Sequence, residues 1–156
     1  MIRTKKIKKE RFKLVVATHL FLIKNGQILL LRRFNTGYRD GQYSVPAGHL
    51  DGNEPSKIAM IREIKEEIGI NIKPNNLKFV HLMHRLSEHE RLDFFFTTKN
   101  WRGTPKIMEK NKCDDLKWFP LNKLPKNMVP YIRFAINNFQ NNKVYSEFGW
   151  LVPDEK

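Results

Sequence analysis

The chain has 156 residues, 40% hydrophobic, 29% charged and 12% aromatic, which suits one globular domain and excludes a disordered chain. No apolar run is long enough to span a bilayer, so no membrane role is expected. A single cysteine, Cys113, excludes an internal disulfide framework and a multi-cysteine zinc site, and it fits a reducing, cytoplasmic setting. The 29 Lys and Arg against 16 Asp and Glu leave a net charge of +13, an excess that favours anionic partners or substrates.

Part of that charge is local. Residues 1–13 carry Arg3, Lys5, Lys6, Lys8, Lys9, Arg11 and Lys13 against Glu10 alone, and they read as a basic N-terminal tail ahead of a single domain over 14–156. A solvated terminus is the expected role, with RNA the other possible partner. Leu14 to Ile23 loosely imitates a secretory signal, but Thr18 and His19 interrupt it and no small-residue cleavage pattern follows. It runs through Asn25-Gly26 into Ile28–Leu31, the pattern of a β-hairpin closed by a type I′ turn.

Arg32 to Gln42 is polar, contains two glycines and reads as a loop. Tyr43 to Gly48 is a short extended piece, because Pro46 bars a helix interior. Pro55 to Ile68 is the clearest helix, with Ile58, Ile61, Ile64 and Ile68 at helical spacing, Pro55 in its first turn and Gly69 as its C-terminal cap. Asn71–Asn76 is turn-rich. Leu77–Leu86 and Arg91–Thr98 are expected strands around a polar link, and Arg102–Lys112 a loop. Leu116–Phe119 is a short strand ended by Pro120, and Pro130–Asn142 a second helix with Ile132, Ala135, Ile136 and Phe139 on one side. Strands mixed with two helices and no regular alternation suggest an α+β fold, an α-β-α sandwich around a mixed sheet.

Glu63, Glu66 and Glu67 fall within about a 100° arc of the first helix, opposite the isoleucines. Three like charges there repel one another, and two lie near the helix C-terminus, where the macrodipole disfavours anions. Either this is a solvated acidic face or it is a cage for a hard divalent cation such as Mg²⁺ or Mn²⁺. The surrounding residues decide between them. Gly48, Glu54, Arg62-Glu63-Ile64, Glu66-Glu67 and Gly69-Ile70 stand at the spacing of the Nudix signature without a departure, over residues 48–70. The chain resembles the Nudix hydrolases, MutT-like members in particular.

That resemblance implies a loop–helix–loop in an α-β-α sandwich that binds Mg²⁺ or Mn²⁺ for attack of water on a phosphoanhydride. Carried onto this chain, it makes Glu63, Glu66 and Glu67 metal ligands, with the Gly48 carbonyl a further one and Glu63 or Glu66 the general base. Glu54 and Arg62 resemble the pair that fixes the loop against the helix, and Gly69 belongs to the same framework. Trp101-x-Gly-x-Pro105 resembles the loop from which MutT-type members supply an acid from outside the box, which makes Glu109 the candidate and Glu88 and Glu90 its rivals.

For substrate contacts the sequence offers Arg32, Arg33 and Arg39 for phosphates, Phe34, Tyr38, Tyr43 and Trp118 for stacking on a base, and His49 beside the metal-binding glycine. Where the human-type sanitising enzymes place an acidic pair for purine recognition, this chain has Val129-Pro130-Tyr131, which argues against 8-oxoguanine recognition of that kind. His81, His84 and His89 are expected to be strand and loop residues without chemistry, and Cys113 an ordinary reduced thiol. The leading expectation is a metal-dependent pyrophosphohydrolase of a nucleoside triphosphate or other nucleoside diphosphate derivative. ADP-ribose-type cleavage and RNA 5′-end pyrophosphohydrolysis are the alternatives within the enzyme class, and a non-catalytic nucleotide- or nucleic-acid-binding module lies outside it.

Overall fold

In the computed structural model, residues 10–151 are described, so most of the basic tail lies outside the described residues. The chain runs β1 (Val15–Lys24), β2 (Gln27–Arg33), β3 (Tyr43–Ser44), β4 (Ala47–His49), α1 (Ser56–Ile68), β5 (Lys78–Leu86), β6 (Glu90–Thr98), β7 (Cys113–Pro120), α2 (Pro130–Gln140) and β8 (Tyr145–Phe148). The expected α+β class is observed: a mixed sheet carries one helix on each face. Asn25 and Gly26 both have positive φ, 52° and 72°, as the β1–β2 hairpin requires.

That hairpin pairs only at its tip, Ile23 with Ile28 and Lys24 with Gln27. Along its first half β1 is flanked instead by β4 (Thr18 opposite Gly48) on one side and by β6, parallel, on the other. β2 leaves to pair with β3 and β7. The predicted extended piece at 43–48 is thus two strands with different partners, split at Val45-Pro46. β5 pairs antiparallel with β6 and takes β8 on its other edge, parallel. β8 had no counterpart among the predicted elements, and β7 begins three residues before the predicted Leu116.

Two apolar layers hold the helices. Met60, Ile64 and Ile68 of α1 pack with Leu20, Leu22, Leu29 and Phe96, while Ile132, Ala135 and Ile136 of α2 pack with Phe21, Leu30, Met83 and Phe95. The inward face of α1 differs from the expected isoleucine stripe: Ala59 and Met60 are buried and Ile58 is 43% exposed. Glu67 accepts an N–H from Ala47 of β4, so the glutamate face is not simply turned to solvent opposite the core. Pro55 is the N-cap rather than a first-turn residue, and Gly69 caps the C-terminus at φ 71° with its N–H donated to the Lys65 carbonyl at 3.2 Å. Among the described residues no helix is long and apolar enough to cross a membrane.

Candidate active site

A cleft of about 670 Å³ collects residues from both helices and from six strands, β1, β2, β4, β5, β6 and β7. One end is acidic. Glu63, Glu66 and Glu67 of α1 open into it with Glu109 from the loop before β7. Gly48 of β4 lies directly over Glu63, and a Cβ there would stand 1.9 Å from the Glu63 carboxyl carbon. Glycine lets the strand and the carboxylate share that space with Glu63 in its present position.

The neighbouring residues lock this geometry. Arg62 donates to Glu54 at 2.7 Å, to Glu63 at 2.7 Å and to the His49 carbonyl at 3.1 Å, while Glu54 also accepts the Asp51 N–H at 2.8 Å. Arg62 thereby ties helix, loop and β4 together, and its hydrogen bond holds the Glu54 carboxyl below the usual carboxylate range. Glu67 accepts the Ala47 N–H at 3.0 Å. Burial pushes its carboxyl up to about 8, and burial also raises Glu63 against the pull of Arg62. Glu66 is the most open of the three, 55% exposed and 3.8 Å from Arg62.

These groups fit a hard divalent cation. They are oxygen donors, several in one cleft, and the partly buried Glu63 and Glu67 are costly to keep ionised together without further counter-charge. They are not a finished cage: among the described residues no three acidic, imidazole or thiol groups converge to metal-holding distance. Arg62 still engages Glu63, and Lys112 engages Glu109 at 2.8 Å.

The other end of the cleft was not visible in the sequence. Asp93, fully buried on β6, accepts from His19 of β1 at 3.1 Å and from Arg85 of β5 at 2.6 Å. Burial raises the Asp93 carboxyl, but its hydrogen bonds and charges from His19 and Arg85 prevail and hold it at about 2. The Arg85 guanidinium lies 3.9 Å from the centre of the Tyr131 ring, and His19 stacks on Phe95 at 4.5 Å. Buried His19 Nδ1 has no hydrogen-bond partner among the described residues. All four polar residues, His19, Arg85, Asp93 and Tyr131, line the cleft.

The expected substrate contacts divide. Arg33 lines the cleft, braced by the Tyr38 carbonyl at 2.7 Å and Thr36 Oγ1 at 3.0 Å, and Tyr38 stands at the rim. His49 also lines it, its Nε2 accepting from Arg91 at 2.9 Å. Tyr43 must be corrected: it is buried in the α2-side core, with its hydroxyl donated to Asp115, and offers no face to a ligand. Trp118 is likewise corrected, since it packs against the α1-side core. Arg39 lies over the Tyr38 ring outside the cleft lining, and Arg32 pairs with Asp114 at 2.7 Å. Of the rival acids, Glu88 reaches the cleft, whereas Glu90 pairs with His84. Buried Cys113 borders the cleft with its thiol raised by desolvation, unlike an activated nucleophile.

Residues 13–139 match the NUDIX domain family model. The chain belongs to the Nudix family. A Bacillus subtilis (strain 168) protein, provisionally named an 8-oxo-dGTP diphosphatase, is 30% identical over 122 residues, covering 78% of this chain and 76% of that one. The NAD-capped RNA hydrolase NudC of Pseudomonas putida is 26% identical over 106 residues, but the match covers 68% of this chain and only 37% of NudC. Among solved structures, a MutT NUDIX hydrolase from Burkholderia pseudomallei superposes with a TM-score of 0.74 at 24% identity, over 81% of this chain and 98% of that one.

Proposed function

We propose that the protein is a divalent-metal-dependent pyrophosphohydrolase of nucleoside triphosphates, using Mg²⁺ or Mn²⁺. The observation that carries the reading is the acidic end of the cleft, where Glu63, Glu66, Glu67 and Glu109 open around a Gly48 that has no room for a side chain. Glu63, Glu66, Glu67 and the Gly48 carbonyl would hold the cation, with Glu109 joining from its loop. A cation there supplies Lewis-acid polarisation of the phosphoryl oxygens and lowers the pKa of water.

The chain's own residues divide the remaining work. Arg62 fixes Glu63 and the loop, so the carboxylates meet the substrate already placed. Glu63 or Glu66 accepts the proton of the attacking water. Arg33, Arg91 and Lys112 line the cleft and offset phosphate charge. His19, Arg85 and Tyr131 face the part of the substrate beyond the phosphates, and a cleft of about 670 Å³ has the size of a nucleotide site. Relatives named for 8-oxo-dGTP hydrolysis support a nucleoside triphosphate over the dinucleotide reading.

The test is a panel of nucleoside triphosphates, ADP-ribose and 5′-capped RNA, with product analysis at fixed Mg²⁺ or Mn²⁺. Nucleoside monophosphate and pyrophosphate from a triphosphate support the proposal. Turnover confined to ADP-ribose or to RNA ends would replace it with the corresponding alternative.

A further inference from the structure

The charge excess is not explained by the cleft. Residues 68–87 and 94–108 contain no Asp or Glu, and the fold brings the two stretches together. Asn71 and Arg102 exchange backbone hydrogen bonds of 3.0 and 2.9 Å, and Lys78 pairs with Thr97 where β5 meets β6. Between them lies a second cavity of about 540 Å³, lined by Asn71, Lys73, Asn76, Asn100, Trp101 and Arg102 above Ile72.

Three properties of this groove point to one ligand chemistry. Lys73 and Arg102 line it and, with Lys78, Lys99 and Lys106 on the same two acid-free stretches, form no ion pair among the described residues. The side-chain amides of Asn71, Asn76 and Asn100 likewise have no hydrogen-bond partner among the described residues, so donors and acceptors are both free. Trp101 is only partly buried, anchored on the α1-side core while lining the groove. Unpaired cations, free amides and an anchored indole suit a phosphate backbone with unstacked bases. A lipid surface would use the cations but not the amides.

We propose that this groove binds single-stranded nucleic acid, with Lys73 and Arg102 on phosphates and Trp101 against a base. The surface is separate from the catalytic cleft and does not depend on the hydrolytic reading. One loop nevertheless connects them, because the segment that begins at Trp101-Arg102 ends at Glu109 and Lys112 in the cleft.

The experiment is fluorescence anisotropy of the full-length protein with labelled single-stranded RNA of roughly 12 nucleotides, titrated with salt from about 50 to 200 mM. The double variant Lys73→Ala/Arg102→Ala changes two exposed residues outside the cleft. It is expected to bind roughly 10-fold more weakly, with the slope of log K against log salt flatter by about 1.4, while hydrolysis of a free nucleotide is unchanged. A second variant lacking residues 2–9 separates the basic tail from the groove. The proposal is overturned if the wild-type protein does not bind RNA, or if the double variant keeps wild-type affinity and slope. It is equally overturned if the tail deletion abolishes binding that the double variant retains, or if anionic phospholipid vesicles bind where RNA does not.

Discussion

Gly48→Ala isolates the geometry of the acidic end with one methyl group. The added Cβ would stand 1.9 Å from Glu63 Cδ and 2.2 and 2.3 Å from its oxygens. Ordinary contact begins near 3.4 Å, so the carboxylate must retreat by about 1.5 Å. Gly48 is in a strand and its φ is not positive, so alanine adds no backbone strain. The side chain can swing away, which leaves the fold intact but removes Glu63 from its place beside Arg62. Losing that one charge-assisted hydrogen bond should cost at most about 2 kcal/mol, a fall in Tm of under about 8 °C. The functional loss should be far larger, because a displacement of about 1 Å in a catalytic group costs on the order of 10²-fold. Circular dichroism melts and steady-state kinetics on a triphosphate, each with and without Mg²⁺, measure the two effects separately. The variant should melt within about 8 °C of the wild type, lose the stabilisation that Mg²⁺ gives the wild type, and lose about 10²-fold in kcat. Wild-type kcat with an unchanged Mg²⁺ requirement would show that the Gly48–Glu63 contact does not set the catalytic geometry.

Glu66→Gln and Glu67→Gln should each lower kcat at least about 10²-fold without unfolding the protein, checked by turnover at saturating Mg²⁺ and by circular dichroism. Asp93→Asn leaves the Arg85 guanidinium buried without its counter-charge and should destabilise the protein by about 3–5 kcal/mol in urea titrations. The pH dependence carries the same sign. The Asp93 carboxyl is depressed to about 2 from 3.8, so its contribution is complete above the unfolded value and is lost as pH falls through about 2. Gly69→Ala forces a left-handed residue at the α1 cap, with a Cβ 3.0 Å from Met108 Sδ, and should cost about 1–2 kcal/mol in the same titration.

Local signals announced most of the fold. The Asn25-Gly26 turn, the glycine after Ile68 and the apolar spacing of α2 each act within a few residues, and the structure uses all three. What the sequence hid depends on partners far along the chain. The inner face of α1 is set by Leu20, Leu22, Leu29 and Phe96 of three strands, so a periodicity argument chose Ile58 where the packing chose Ala59 and Met60. β8 has only four residues of alternating exposure and owes its existence to the free edge of β5. Of the candidate site, the glutamates and Arg62 were legible because they share one helix. His19, Arg85 and Asp93 come from three strands, and His19 and Asp93 are 74 residues apart. Tyr43 and Trp118 misled for the converse reason: an aromatic near a site has the same local appearance whether it lines the cleft or fills the core beneath it.

Metal-dependent catalysis by the acidic end of the cleft is tested by nucleoside triphosphate hydrolysis with wild-type protein and Glu67→Gln, with Mg²⁺ and after chelation, with products resolved by chromatography. The wild type with Mg²⁺ is expected to give nucleoside monophosphate and pyrophosphate, and the chelated enzyme and the folded variant almost none. Turnover that survives both chelation and the loss of Glu67 would contradict metal-dependent catalysis there.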